Sequence, residues 1–231
     1  PGKVLRDIVG KPMLVHVVEA ARKSHARKIW VATDSKTIAI ICKQFDVPYI
    51  MTSPTHQSGT DRLAQAAKIL NLPDETIVIN LQGDEPAINP TLLDDLASAL
   101  ANTTAAAATV AHPITQQEDL HNPNVVKTVL NAKNEALYFS RSLIPYMRTK
   151  GIQLPVLRHI GMYAYRAHLL KRYTQLQVSP LEQSEMLEQL RLLWHGITIH
   201  VLISTNSPSI GVDTEEDLQC IIEFFKSKES A

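Results

Sequence analysis

The sequence predicts an α/β protein: a mostly parallel sheet with helices on both faces and a smaller mixed or antiparallel extension. Two observations carry that expectation. Over the first hundred residues, short apolar runs alternate with stretches of helical period, as strand–helix crossovers require. After Ala105-Ala106-Ala107-Ala108 the pattern changes to alternating segments separated by turn residues, which suits antiparallel strands. A length of 231 residues with 45% hydrophobic residues suits a single domain over 1–231, with an excursion at about 110–180.

The elements follow in order. Met13, Val17, Val18 and Ala21 recur at helical spacing behind Pro12, so 13–23 is expected to be a helix. Residues 28–33 read as a short buried strand ending in Thr33-Asp34, then a helix over 35–45 and a strand over 48–51. Ser58-Gly59-Thr60-Asp61 opens a third helix over 60–70. Thr76 to Leu81 reads as the buried central strand, with a helix over 91–101 after Pro90. Segment 105–110 is a candidate buried strand. Segments 125–130 and 136–139 form a candidate antiparallel pair joined by 131–134, and 158–165 a further strand. A helix over 184–193, a strand over 197–203 and a closing helix over 214–226 complete the chain. Right-handed crossovers place the ends of the parallel strands on one edge, the usual place for ligands in such sheets.

The bulk numbers exclude some functions. Lys and Arg number 23 and Asp and Glu number 23, so the net charge is zero and neither nucleic acid nor an anionic membrane is expected as the main partner. The two cysteines, Cys42 and Cys220, lack metal-ligand spacing and read as reduced core thiols of a cytosolic protein. The nine histidines form no H-x-x-x-H pair, which argues against a zinc hydrolase.

Several clusters carry chemistry. Asn80-Leu81-Gln82-Gly83-Asp84-Glu85-Pro86 places carboxylates at a strand end behind a glycine. By itself this is most simply an acidic turn; its chemical reading is a hold on a hard cation such as Mg²⁺. Asp213 lies just outside the Thr214-x-x-Asp217 helix start and is either a turn residue or a second carboxylate for that cation. Lys3, behind Gly2, is either a surface lysine or a phosphate ligand. In His56-Gln57-Ser58-Gly59-Thr60-Asp61-Arg62, helix capping and anion binding are compatible, and Arg62 adds a fork of donors. Arg141 and His159 interrupt otherwise apolar strands, so a buried partner such as a substrate carboxylate is expected for them. Glu182, Glu185, Glu188, Gln189 and Arg191 lie on one predicted helix, mostly as a solvated face, from which Glu188 and Gln189 can reach a polyhydroxylated ligand.

Taken in order, these segments form a set, together with Ala32-Thr33-Asp34, Ala136-Leu137-Tyr138-Phe139-Ser140-Arg141, Arg158-His159-Ile160-Gly161, Leu187-Glu188-Gln189-Leu190-Arg191 and Gly211-Val212-Asp213-Thr214. The set resembles the 3-deoxy-manno-octulosonate (Kdo) cytidylyltransferases, or CMP-Kdo synthetases, over almost the whole chain. The resemblance implies a Rossmann-like nucleotidyltransferase sheet and transfer of CMP from CTP to the anomeric hydroxyl of Kdo, with release of diphosphate. It implies Mg²⁺ as cofactor, a homodimer, a cytoplasmic location and a role in lipopolysaccharide synthesis. Asp84 and Asp213 would be the metal ligands and Lys3 would hold CTP phosphate. Thr33, Asp34, Gln57, Ser58 and Gly59 would line cytosine and ribose, with Arg62 and Gln82 nearby. Arg141, His159, Tyr163, Glu188 and Gln189 would form the Kdo pocket, with Arg141 on the carboxylate. The excursion at 110–180 would carry sugar-acid binding and dimerisation.

Two other functions fit less of the sequence. A cytidylyltransferase for another sugar acid, such as an acylneuraminate, would not need the Arg158 and Leu187 segments. A non-catalytic descendant would not need both carboxylates. The family carries a first strand and an Arg- and Ser-containing loop just before the segment that matches Pro1-Gly2-Lys3. The sequence begins after that loop, so low activity is expected of the chain by itself.

Overall fold

The computed structural model describes residues 2–56, 58–149, 154–205 and 211–229. A 3-10 turn at Lys3–Leu5 leads into β1 (Asp7–Ile8), β2 (Lys11–Pro12), α1 (Met13–Ala21), β3 (Val31–Thr33), α2 (Lys36–Gln44), β4 (Tyr49–Met51) and α3 (Gly59–Ile69). Then come β5 (Ile77–Asn80), α4 (Pro90–Ala101), β6 (Ala107–Pro113), α5 (Gln117–His121), β7 (Lys127–Leu130), β8 (Ala136–Ser140) and β9 (Leu157–Arg166). The chain continues with α6 (Ala167–Tyr173), α7 (Pro180–Glu185), α8 (Gln189–Trp194), β10 (Ile199–Ile203) and α9 (Glu215–Glu229). These elements fall into two compact units, one of Pro1–Leu70, Leu81–Asp95 and Pro208–Ala231, the other of Asn71–Asn80 and Leu96–Ser207.

In the first unit, β3 and β4 pair in parallel. Ser35 caps α2 by accepting from the Ile38 amide, and Ser58 caps α3 by accepting from the Asp61 amide. After α2 and α3 the chain turns through Asp46 (φ 50°) and Asn71 (φ 48°), residue types that tolerate the left-handed region. Leu14 and Val18 of α1 pack with Cys42 of α2 and Val47 in one cluster. Ile8, Met13, Val212, Leu218 and Ile221 form another, which docks α9 on the small β1–β2 hairpin.

In the second unit the strand order is β10-β6-β9-β7-β8, with β5 also on β9. β6 and β10 are parallel, whereas β9 runs antiparallel to β5, β6 and β7. The antiparallel extension expected after the alanine run is therefore organised by one ten-residue strand, β9. A bulge between Thr109 and Val110 interrupts its register with β6, and Tyr163 sits opposite both Thr109 and Asn80.

The structure corrects several local expectations. β5 is half-buried throughout and has β9 as its only partner among the described residues, so it is not a central strand there. The helix expected over 184–193 is two helices, broken at Met186–Glu188. Helices α5 and α6 were not anticipated. Cys42 is buried, but Cys220 is exposed, because it lies off the face of α9 that Leu218 and Ile221 bury.

Candidate active site

Two carboxylates converge in the first unit. The Lys3 ammonium lies 2.7 Å from Asp84 Oδ2 and 3.0 Å from Asp213 Oδ1. The backbone brings these acids together: the Val212 amide donates to the Asp84 carbonyl at 2.9 Å, one residue before Asp213. Capping of α9 falls to its neighbours. Thr214 Oγ1 accepts from the Asp217 amide, while Asp217 Oδ2 accepts from the amides of Asp213 and Thr214. The Asp213 side chain is thereby released from the capping duty that its position suggested. Burial works to lower the Lys3 pKa, but its bonds to the two acids outweigh burial and raise it. A hard cation takes one or two carboxylates plus phosphate oxygens. Two carboxylates already arranged about one positive charge fit that requirement.

The remaining nucleotide candidates of this unit lie around the ends of β3 and β4. Arg62 donates from Nη2 to Asp34 Oδ2 at 3.0 Å and from Nη1 to Thr52 Oγ1 at 2.6 Å. This fork ties α3 to both strand ends and holds the Asp34 carboxyl below its ordinary range. Thr33 is buried, and its hydroxyl accepts from the Ser35 amide. A Cβ placed on Gly59 would stand 3.8 Å from Gln82 Nε2, so Gln82 lies against the start of α3 beside Ser58. Gln57 lies outside the described residues.

The second unit carries the other group. His159 and Tyr163 project from β9 with ring centroids 5.4 Å apart, and Phe139 meets the His159 ring edge-on at 4.9 Å. His159 Nε2 lies 2.9 Å from Thr109 Oγ1, whose own hydroxyl donates to the Met162 carbonyl at 2.7 Å. Thr109 therefore accepts from His159, which fixes the Nε2–H tautomer and leaves Nδ1 as an acceptor. Desolvation pushes the His159 pKa down to about 3. Burial, with Tyr165 and Glu188 adding to it, raises the Tyr163 phenol well above its usual value. The nearby Thr109 hydroxyl tempers that rise but is committed to Met162 and His159. The buried Tyr163 hydroxyl consequently has no hydrogen-bond partner, and neither does buried Gln189 Nε2. Unpaired buried polar atoms are costly. These two belong to residues singled out in the sequence, and a polyhydroxylated ligand would satisfy both. Glu188 is exposed at the start of α8.

Arg141 is more committed than its sequence position suggested. Its guanidinium donates to the carbonyls of Glu185 (2.7 Å), Pro123 (2.9 Å) and Met186 (3.4 Å). Of its five N–H groups, these contacts leave one on each terminal nitrogen for a ligand. Beneath it lies a residue that the sequence reading missed. Lys127 is fully buried, and its ammonium donates to the carbonyls of Val125, Asn122 and Arg141 at 2.7, 3.0 and 2.6 Å. Strand alternation placed Lys127 on the same face as Val125, which was the available signal. Glu182 and Glu185, read as a solvated face, are likewise engaged. Glu182 pairs with Arg191 in a buried setting, and Glu185 accepts from Ser140 and Arg141. Among the described residues no cluster of three or more His, Cys, Asp or Glu is arranged to hold a metal, and no helix is long and apolar enough to cross a membrane.

Comparison with known proteins bears on the family and the fold. Residues 1–199 match the family model described as cytidylyltransferase. The 3-deoxy-manno-octulosonate cytidylyltransferases of Neisseria meningitidis serogroup A and of Neisseria gonorrhoeae are each 48% identical to this chain over 235 residues, covering 98% of it and 93% of their own length. Among solved structures, a CMP:2-keto-3-deoxy-manno-octonic acid synthetase complexed with CTP superposes with a TM-score of 0.91 at 40% identity, covering 99% of this chain and 93% of that one. A 4-diphosphocytidyl-2C-methyl-D-erythritol synthase, at a TM-score of 0.65 and 11% identity over 97% of this chain and 94% of that one, shares the fold alone. The α/β nucleotidyltransferase fold expected from the sequence is the one these likenesses show.

Proposed function

The chain belongs to the cytidylyltransferase family, and on that premise we propose that it transfers CMP from CTP to the anomeric hydroxyl of Kdo, giving CMP-Kdo and diphosphate. The observation that carries the proposal is the convergence of Asp84 and Asp213 on the Lys3 ammonium. Asp84 and Asp213 would hold a magnesium ion, which when bound neutralises phosphate charge. Lys3, displaced from the acids, has the charge and the flexible stem to meet a phosphate. Thr33, Asp34, Gln57, Ser58, Gly59, Arg62 and Gln82 are proposed to hold the cytidine. In the second unit, Tyr163, Gln189, Glu188, His159 and the two remaining Arg141 N–H groups are proposed to hold the sugar acid. The chemistry is an in-line displacement at the α-phosphorus. The residues position the reactants and stabilise charge, and none of them needs to form a covalent bond.

The proposal extends to a cytoplasmic homodimer, supported by the family resemblance and by the prevalence of two-fold assemblies; sedimentation equilibrium tests it. The activity is tested by diphosphate release from CTP and Mg²⁺ with Kdo or with an acylneuraminate as acceptor. Turnover with Kdo that is lost in Asp84→Asn is the expected result. Turnover with the acylneuraminate alone would change the substrate, and none with either acid would overturn the reading.

A further inference from the structure

The break between α7 and α8 has a specific lock. Met186 sits at the tip, 76% exposed, in a left-handed conformation (φ 52°, ψ 49°) that an unbranched side chain adopts only when its surroundings impose it. Glu185 supplies that constraint through all of its acceptors. Its Oε1 accepts from Ser140 Oγ at 2.7 Å and its Oε2 from the Arg141 amide at 2.9 Å. Its carbonyl accepts from Arg141 Nε at 2.7 Å, and the same guanidinium reaches the Met186 carbonyl. These carbonyls end α7 and have no helical partner, so a cation there satisfies them and favours the helix dipole. Lys127 fixes the other side of Arg141 by donating to its carbonyl. Glu188 and Gln189 follow the elbow directly, and Gln189 Nε2 is one of the unpaired buried atoms.

We propose that Glu185 is a positioning residue for acceptor recognition: by clamping Arg141 to the Met186 elbow it aims Glu188 and Gln189 at the sugar acid without touching that substrate. This inference rests on the sugar-acid reading of the second unit. It predicts that Glu185 acts on acceptor binding and leaves nucleotide binding alone, a separation that general loss of fold would not produce.

The experiment compares the full chain with Glu185→Ala and Glu185→Gln. In Glu185→Ala the KM for Kdo is expected to rise about tenfold or more, the cost of losing a charged hydrogen bond, with kcat and the KM for CTP within about twofold. Amide exchange at 186–189 should quicken in parallel. Glu185→Gln should recover most of the wild-type KM, because its oxygen can accept from the Arg141 amide while its nitrogen donates to Ser140 Oγ. An unchanged KM for Kdo in Glu185→Ala would overturn the proposal, as would equal changes in both KM values. Should Glu185→Ala not fold, Ser140→Ala, which removes the donor to Oε1 together with the acceptor for the Ser142 amide, carries the same comparison. If the wild-type chain turns over CTP but not with Kdo, the substrate reading fails by itself. The elbow is then judged by exchange at 186–189, and unchanged exchange in Glu185→Ala overturns it.

Discussion

Arg191 grips Glu182 through both carboxylate oxygens, Nε to Oε2 at 2.8 Å and Nη2 to Oε1 at 2.6 Å, with the side chains only 10% and 9% exposed. The pair joins α7 to α8 across the Met186 break. Glu182 also closes the capping box with Ser179, and Arg191 lies 4.9 Å over the Tyr173 ring. Removing one charge from such a pair leaves the other buried and uncompensated. Arg191→Met is therefore expected to cost ~3–5 kcal/mol, whereas Glu182→Gln with Arg191→Met should be milder than the sum of the single changes. Urea unfolding measures both. A single-mutant cost below ~1 kcal/mol would place the pair among ordinary surface salt bridges.

Gly83 gives a second prediction, at the carboxylate site. A Cβ there would stand 3.2 Å from Val4 Cγ1 and 3.5 Å from Leu14 Cδ1. Leu14 is buried in the α1 core, so Val4 has to move, and Val4 adjoins Lys3. Gly83→Ala should leave the protein folded but raise the KM for CTP roughly tenfold, since small misplacements of positioning groups are expensive in rate. Steady-state kinetics that match wild type would show that the loop absorbs the methyl group without moving Lys3.

Much of this was legible where local chemistry decides the outcome. Pro12, Ser35 and Ser58 punctuate helices whose ends need no tertiary help, and α1, α2 and α3 appear within a few residues of expectation. Thr214 and Asp217 form their capping box as read, and this frees Asp213. Legibility fails where a distant residue decides. The period through 184–193 is continuous, yet the helix breaks at the point where Glu185 meets the sequence-distant Arg141. Lys127 looks like a solvated lysine until three carbonyls surround it. The Tyr163 and Gln189 atoms left unpaired are likewise a property of packing.

Lys3 gives the third prediction. Its ammonium occupies the space between the two acids, so it competes with any metal for them. Lys3→Met should bind Mg²⁺ more tightly than wild type when nucleotide is absent, as measured by calorimetry. The same variant should bind CTP less tightly, because the phosphate has lost a cation. Weaker Mg²⁺ binding in Lys3→Met would show that the ammonium organises the acids and does not compete for them.

His159 sets a pH dependence whose sign follows from its surroundings. Desolvation holds its folded pKa near 3, against 6.5 for an ordinary histidine. Above pH 6.5 neither the native nor the unfolded chain carries this proton, so the stability is fully present. Between pH 6.5 and about 3 only the unfolded chain takes the proton, and stability falls as pH falls. Below about 3 the contribution levels off. The slope of this loss is at most ~1.4 kcal/mol per pH unit. His159→Gln, which keeps a donor for Thr109 without a titrating ring, should show a shallower loss of stability between pH 6 and pH 4 than wild type. Urea midpoints across that range read the difference, and in wild type the His159 imidazole resonances should stay unshifted from pH 8 to pH 5. Resonances that titrate near 6.5 would mean that the ring is solvated and that the wall it forms with Phe139 and Tyr163 opens in solution.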